Sequence, residues 1–426
     1  MGTTIFLVML VLLLMGFPMM VPLLAAALVG FFFFLPALRP EIIVQQMTSG
    51  IEPSALIAVP MFILAADIVT KGRTANRLID LAMSMVGHVR GGLAITTAVG
   101  CTMFGAVSGS TQATVVAMGS PLRPKMLKGG YSDSFSLALI VNASDIAFLI
   151  PPSIGMIVYG VVSGTSIAAL FLAGVGPGLM ILLFFSIYCW IYAWYNDIPV
   201  QPRTSWGERW VTLTRAGPSM LFPVIIVGGI YTGYFSPTEV AAVSVAYAII
   251  LEVLVFREVK FADIPGIAVS TGLITSVVFI LVGAGAAFSW IISFGQIPQA
   301  VIAGLGLHEA GPVMMLVAIC IAYFIGCMFV DPIVVILVLT PLFAPLVALS
   351  GLDPVLVGTL VTLQVAIGSA TPPFGCDLFT AMAVFRRPYF EVIRGTPPFI
   401  IILIASAGLL IAFPQIALFL PQLAFR

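Results

Sequence analysis

The sequence predicts an all-α polytopic membrane protein. Three observations carry that prediction: 61% of the 426 residues are apolar, only 8% are charged, and apolar runs of about 20 residues or more recur from end to end. A soluble surface needs roughly 25% charged residues, and each apolar run is long enough to cross a hydrocarbon layer about 30 Å thick. No polar segment is long enough to fold separately, so residues 1–426 read as a single transmembrane domain.

The same figures remove other classes. Seventeen basic residues balance 17 acidic ones, so no net field attracts nucleic acid. Cys101, Cys189, Cys320, Cys327 and Cys376 sit in apolar stretches without zinc spacing and read as small buried hydrophobes. The N-terminal Met1-Gly-Thr-Thr-Ile5 lacks a basic stretch and its apolar run continues to about Leu38, so a cleaved signal peptide is not expected.

Taken in order, the first run carries Gly16-Phe-Pro18 and fits either one kinked helix or two short ones. Fifteen of the 17 basic residues fall in five clusters, beginning at Lys71, Arg123, Arg203, Arg257 and Arg386. The positive-inside rule places all five on the cytoplasmic side. Residues 131–160 then lead out and 166–196 lead back. The polar stretch Asn196–Arg215, with Trp206 and Trp210, reads as interfacial. Residues 218–235 and 238–256 form a second pair, 264–292 lead out, 354–385 lead back and 396–420 lead out.

Two segments do not fit single crossings. Gly91–Leu122 has basic clusters at both ends and is interrupted by Gly105-Ala-Val-Ser-Gly-Ser110. Two full crossings would leave about 15 residues per arm, too few to span, so a re-entrant hairpin is expected. The segment 311–350 is interrupted at Gly326-Cys-Met-Phe-Val-Asp331-Pro332; its flanks, with His308, Glu309 and Asp353, lack Lys and Arg and read as external.

These interruptions repeat. Gly105 and Gly326 are 221 residues apart, as are Ser110 and Asp331, and Pro151-Pro152 and Pro372-Pro373. Pro121 and Pro341 are 220 apart, and Phe62-Ile-Leu64 and Phe279-Ile-Leu281 are 217 apart. With opposed hairpins, the expectation is two repeats of inverted topology, about 53–196 and 264–420, joined by scaffold spans at about 218–256. A helix broken inside a membrane frees backbone groups that only protein or a watery cavity can satisfy. The freed carbonyls suit Na⁺, and helix N-termini suit anionic groups.

The order of hairpin, Pro-Pro-broken helix, paired spans, second hairpin and second Pro-Pro-broken helix resembles the large membrane subunit of tripartite ATP-independent periplasmic (TRAP) transporters. Gly87-His-Val-Arg-Gly-Gly92, Ser108-Gly-Ser110, Ile150-Pro-Pro-Ser-Ile-Gly155 and Thr371-Pro-Pro-Phe-Gly375 carry the likeness. The resemblance implies an elevator-type, Na⁺-coupled importer in the bacterial inner membrane. It also implies two partners, a separate small membrane subunit and a periplasmic substrate-binding protein, and no cofactor beyond the coupling ion. Expected Na⁺ ligands are Gly105, Ser108, Ser110, Asp145 and Pro151 in the first half, and Gly326, Asp331, Gly368, Thr371 and Pro372 in the second. Expected substrate contacts are Ser110, Asn142, Ser153, Asp331, Thr371 and Phe374.

Each has a plainer reading. Asp331 and Asp377 stand where a carboxylate caps a half-helix, and the hydroxyls of Ser108, Ser110 and Thr111 stand where a serine or threonine bonds its own backbone. Gly105-Ala-Val-Ser-Gly109 looks superficially like an intramembrane protease serine, but no histidine lies at its depth to activate it. No metal cluster, activated nucleophile or phosphate loop argues for an enzyme. A self-sufficient cation-coupled carboxylate transporter with opposed hairpins is the alternative within transport. The absence of Lys and Arg from the core segments disfavours a dianionic solute and leaves a monoanion or zwitterion.

Overall fold

The computed structural model describes residues 1–304 and 311–425; His308 and Glu309 lie outside the described residues. Gly16, at φ +79°, breaks the first apolar run into two helices, α1 (Gly2–Leu14) and α2 (Met20–Phe34). A short amphipathic helix α3 (Glu41–Ile51) leads to α4 (Ala58–Lys71) and α5 (Thr74–Val86). α6 (Gly92–Ser108) and α7 (Thr111–Lys128) pack against each other and are joined only by Gly109-Ser110, which makes them the two arms of a hairpin.

α8 (Asp133–Ser144) tightens into a 3₁₀ turn at Asp145–Phe148 and stops before Pro151-Pro152. α9 (Ile154–Ser163) resumes beyond the break. The 29-residue α10 (Ile167–Tyr195) follows. α11 (Trp206–Tyr231) starts well before Pro218, because Ser205 and Glu208 form a reciprocal capping box. The stretch expected to lie as an interfacial segment is thus divided: Trp206 and Trp210 are exposed on the first turns of a long helix.

α12 (Pro237–Ile249) ends in a π-helical turn, Ile250–Val255. That turn presents the buried Glu252 to the start of α5, where it accepts from Arg73 N (3.1 Å), Thr74 N (3.2 Å) and Thr74 Oγ1 (2.6 Å). The two backbone groups are donors that a helix start leaves without intrahelical partners.

The second half also holds a joined helix pair and a Pro-Pro break. α13 (Ile264–Phe294) and α14 (Ile297–Gly304) precede α15 (Pro312–Phe329) and α16 (Pro332–Ser350), which are joined by Val330-Asp331. α17 (Pro354–Ser369) stops before Pro372-Pro373, and α18 (Cys376–Phe385) resumes. Both Pro-Pro peptide bonds are cis. A turn, α19 (Tyr389–Ile393), leads to α20 (Pro397–Ala412) and α21 (Gln415–Ala424). The expected single span at 396–420 is instead bent by 57° at Phe413-Pro414, where proline removes a backbone donor. Among the described residues, six helices are long and apolar enough to cross a membrane, or seven if the bent pair counts once.

The buried apolar side chains form one large cluster and a smaller second one, in which Val115, Leu137 and Ile140 meet Leu378 and Val392. α15 packs on α17, α16 on α13 and α9, and α13 on α2, α3 and α4. At one end Asp133 binds Arg123 through two bonds (2.7 and 2.6 Å) and Arg387 at 2.9 Å, tying α7 and α8 to the turn after α18. The paired geometry makes this stronger than a lone surface ion pair.

Candidate functional site

The two hairpin tips and the two Pro-Pro breaks come together. Gly109 adopts φ +63°, which its lack of a side chain permits. Its Cα also presses against the Pro152 carbonyl, where any Cβ would collide, and Ile154 N donates to Gly109 O at 3.4 Å. The second half has a similar contact, with Phe374 N donating to Met328 O at 3.1 Å. Deeper in each hairpin the close approach is made by a glycine on opposite sides of the crossing. Gly105 of α6 meets Ala147, whereas Gly368 of α17 meets Cys327 of α15. Alanine 147 and Gly368 are themselves 221 residues apart.

Most of the sequence-selected residues divide into four groups. Some cap helices: Ser110 Oγ accepts from Ala113 N (3.4 Å), Asp331 Oδ1 from Ile333 N (2.9 Å) and Ser153 Oγ from Met156 N (3.2 Å). Ser110 and Asp331 thus serve equivalent second arms, α7 and α16. Others bond locally: Ser108 Oγ lies 3.1 Å from Thr114 Oγ1, and Thr371 Oγ1 donates to Ile367 O at 2.6 Å. Gly105, Gly326, Gly368, Pro151 and Pro372 shape backbone. Gly326 packs beneath Val335, on the facing arm of its own hairpin.

Asn142 and Asp145 form the fourth group. Both are buried, and Asn142 Nδ2 donates to Ala138 O at 2.8 Å. Asn142 Oδ1 and both Asp145 oxygens meet no hydrogen-bond donor among the described residues. Asp377, also buried, accepts from Thr111 Oγ1 (2.9 Å) on the first hairpin and from Ser369 Oγ (2.7 Å) before the second break. Sequence reasoning weighed Asp377 as a half-helix cap and did not select Ser369. Thr111 is 266 residues from Asp377, and only the fold joins them.

The two breaks differ in exposure. Pro151, Pro152 and Ser153 are buried, while Pro373 and Phe374 are exposed. Tyr389 Oη donates to Pro373 O at 2.8 Å. From the second tip a row of rings runs outward: Phe329 to Phe374 at 5.9 Å, Phe374 to Phe379 at 6.5 Å and Phe379 to Tyr389 at 6.2 Å between centroids.

This all-helical architecture is shared with two solved membrane-protein structures. The YdaH transporter of Alcanivorax borkumensis superposes with a TM-score of 0.63 over 89% of this chain and 88% of that one, at 14% identity. MtrF of Neisseria gonorrhoeae superposes with a TM-score of 0.58 over 92% and 93%, also at 14% identity. Identities this low speak to fold alone. Sequence supplies the particular family. Residues 6–416 match the tripartite ATP-independent periplasmic transporter, DctM component, and the chain belongs to that family. It is 68% identical over 426 residues, all of both chains, to the ectoine/5-hydroxyectoine TRAP transporter large permease protein UehC of Ruegeria pomeroyi. It is 66% identical over 416 residues, 97% of both, to the ectoine TRAP transporter large permease protein TeaC of Halomonas elongata. Identity to the C4-dicarboxylate TRAP transporter large permease protein DctM of Pseudomonas aeruginosa is 36% over 371 residues, 87% of both. The chain is therefore the large permease subunit of a binding-protein-dependent importer in the inner membrane, within a family of permeases rather than enzymes.

Proposed function

We propose that this subunit imports ectoine or a closely similar small zwitterion by Na⁺-driven elevator movement, with a separate small membrane subunit and a periplasmic binding protein. The observation that carries the solute is the full-length identity of 68% and 66% to two ectoine permeases, against 36% to a C4-dicarboxylate permease. Two features of the site support it. No ion pair with Lys, Arg or His reaches the carboxylates at the breaks among the described residues, so nothing there is built for a dianion. The exposed ring row beside Phe374 offers π faces to a delocalised cation. Irregular backbone at membrane depth must line protein or water, so the open side of the second break faces a solute path rather than lipid.

In this reading the five basic clusters face the cytoplasm, residues 53–196 and 264–420 are opposed repeats, and the spans at 218–256 belong to the stationary scaffold. Na⁺ occupies the tips near Ser108, Ser110 and Asp331, and the solute lies between them. The test is uptake of labelled ectoine into liposomes holding both membrane subunits, with the binding protein outside. Uptake is expected only with an inward Na⁺ gradient and binding protein, and unlabelled ectoine should compete while succinate should not. Uptake by this chain alone would favour the self-sufficient transporter. Phe374→Ala should raise the half-saturating ectoine concentration about fivefold, the loss of about 1 kcal/mol of cation–π attraction.

A further inference from the structure

The site at the tips and breaks makes no use of the turn Gly87-His-Val-Arg-Gly-Gly92, which joins α5 to the first hairpin. The turn is tight: Val89 N donates to Val86 O at 3.1 Å and Gly92 N to Val89 O at 2.7 Å. Gly91, at φ +76°, lies against the Cys189 carbonyl and the Trp190 backbone of α10, where a Cβ would collide. His88 and Arg90 remain partly exposed. The start of α11 closes on the same place. The Ser84 and Thr212 hydroxyls lie 2.8 Å apart, Arg209 Nη2 lies 3.3 Å from His88 Nδ1, and the Arg209 guanidinium sits 5.1 Å from the centre of the Trp206 ring.

Two independent features of this place point to a ligand. The first is cationic charge short of oxygen. Arg90 pairs with Asp197 at 3.2 Å, but Asp197 is 93% exposed, so solvent screens the pair. Glu208, beside Arg209, is taken up by Ser205 N and Oγ. The Nε atoms of Arg90 and Arg209 are buried and meet no acceptor among the described residues. A guanidinium carries five donors. The second feature is a ring of tryptophans. Four of the five in the chain are here: Trp190 and Trp194 at the end of α10, and Trp206 and Trp210 at the start of α11. They are 46, 55, 77 and 67% exposed, so their rings face outward. Exposed tryptophans settle at the headgroup level of a bilayer.

We infer that His88, Arg90 and Arg209 form a site for the phosphate headgroup of an anionic phospholipid in the cytoplasmic leaflet. Phosphate oxygens match the planar fork of a guanidinium and supply the acceptors that Asp197 alone does not. The tryptophans commit the ligand to a lipid rather than a free phosphate, because they set the turn at headgroup depth. Gly92 opens α6, so an occupant of the turn bears on the base of the first hairpin. The inference rests on the cytoplasmic placement of the basic clusters proposed above, and is independent of the solute and of Na⁺.

The test is tryptophan fluorescence of the complex of both membrane subunits in phosphatidylcholine nanodiscs. A small fixed fraction of the lipid is either brominated phosphatidylglycerol or brominated phosphatidylcholine, and bromine quenches the rings that it touches. Brominated phosphatidylglycerol should quench the wild type more than the same fraction of brominated phosphatidylcholine, and added NaCl should shrink the excess. Arg90→Gln and Arg209→Gln should each cut the preference for phosphatidylglycerol about fivefold, the effect of about 1 kcal/mol for a basic side chain at an anionic surface. Arg90→Lys and Arg209→Lys, which keep the charge, should retain most of it. The comparison of the two lipids on the wild type stands even if the glutamine variants fail to fold. Equal quenching by both lipids would overturn the inference, as would an excess that both glutamine variants retain. Rings shielded from either lipid would mean that the small subunit covers the patch, which also rules the site out. Loss of the excess on adding inorganic phosphate would make this a free-anion site and not a lipid one. Because no gradient or solute enters the measurement, its failure leaves the importer reading standing, and failure of the uptake assay leaves this site standing.

Discussion

Asp331 caps a helix and, in the proposed reading, also binds Na⁺. It is half-buried, and its Oδ1 caps α16 through Ile333 N. Its position at a break was legible from the spacing of 221 to Ser110, and the capping role from the proline that follows. Which role matters more is a question of charge, because asparagine caps a helix about as well as aspartate. Asp331→Asn should therefore leave the thermal midpoint of the complex nearly unchanged, within about 0.5 kcal/mol of stability. It should raise the Na⁺ concentration for half-maximal uptake about tenfold, as expected for losing a charged ligand. Uptake against Na⁺ at matched expression checks this, and an unchanged curve leaves the residue as a cap alone. Asp377 was less legible. Its neighbours Gly375-Cys376 leave a helix cap and a site role both open, and its bonds to Thr111 and Ser369 come from tertiary packing.

At the scale of elements, the helix breaks were legible because glycine and proline interruptions are local signals. The π-turn at Ile250–Val255 was not, since it exists to serve a partner. Glu252 replaces a missing N-cap on α5, where Arg73 offers no side-chain acceptor and Gly72 leaves room for the carboxylate. Glu252→Ala should cost about 3 kcal/mol, because it leaves buried donors unanswered. Glu252→Gln, which keeps one acceptor, should recover part of that. Thermal unfolding of the complex in detergent measures both. A Glu252→Ala midpoint equal to wild type would mean that water or a neighbouring group replaces the carboxylate. The start of α11 teaches a related lesson. Ser205 and Glu208 spell a capping box, yet the polarity of the surrounding stretch masked it.

At the scale of the whole molecule, the packing of α13 bears on the proposed elevator. Gly283, Gly285 and Ala286 present small faces to Met47, Leu337 and Gly50. One side of α13 therefore touches α3 and the other touches α16 of the second hairpin. Small residues let backbones approach closely, and a smooth surface resists sliding less than interlocked side chains do. A Cβ placed at Gly285 would lie 2.9 Å from that of Leu337, so a slight outward shift brings two cysteines to disulfide range, about 3.8 Å. The double variant Gly285→Cys, Leu337→Cys should lose most uptake on oxidation and regain it with reductant. Full uptake in the oxidised state would mean that α13 and α16 travel as one body. The order of helices was legible here, but the faces of α13 that meet α3 and α16 were not, because hydropathy does not distinguish lipid-facing from protein-packed surfaces.

The bond from Glu252 to α5 also imposes an order in time. Arg73 precedes its acceptor by 179 residues. At about 5–20 residues per second of synthesis, the start of α5 waits roughly 9–36 seconds for the group that completes it. Thr111 waits longer still for Asp377, 266 residues on. The nascent chain therefore enters the bilayer with its first half polar-unsatisfied at both points. Whatever shields α5 and the first hairpin tip during that interval, lipid headgroups or the insertion machinery, must let go once the second half arrives.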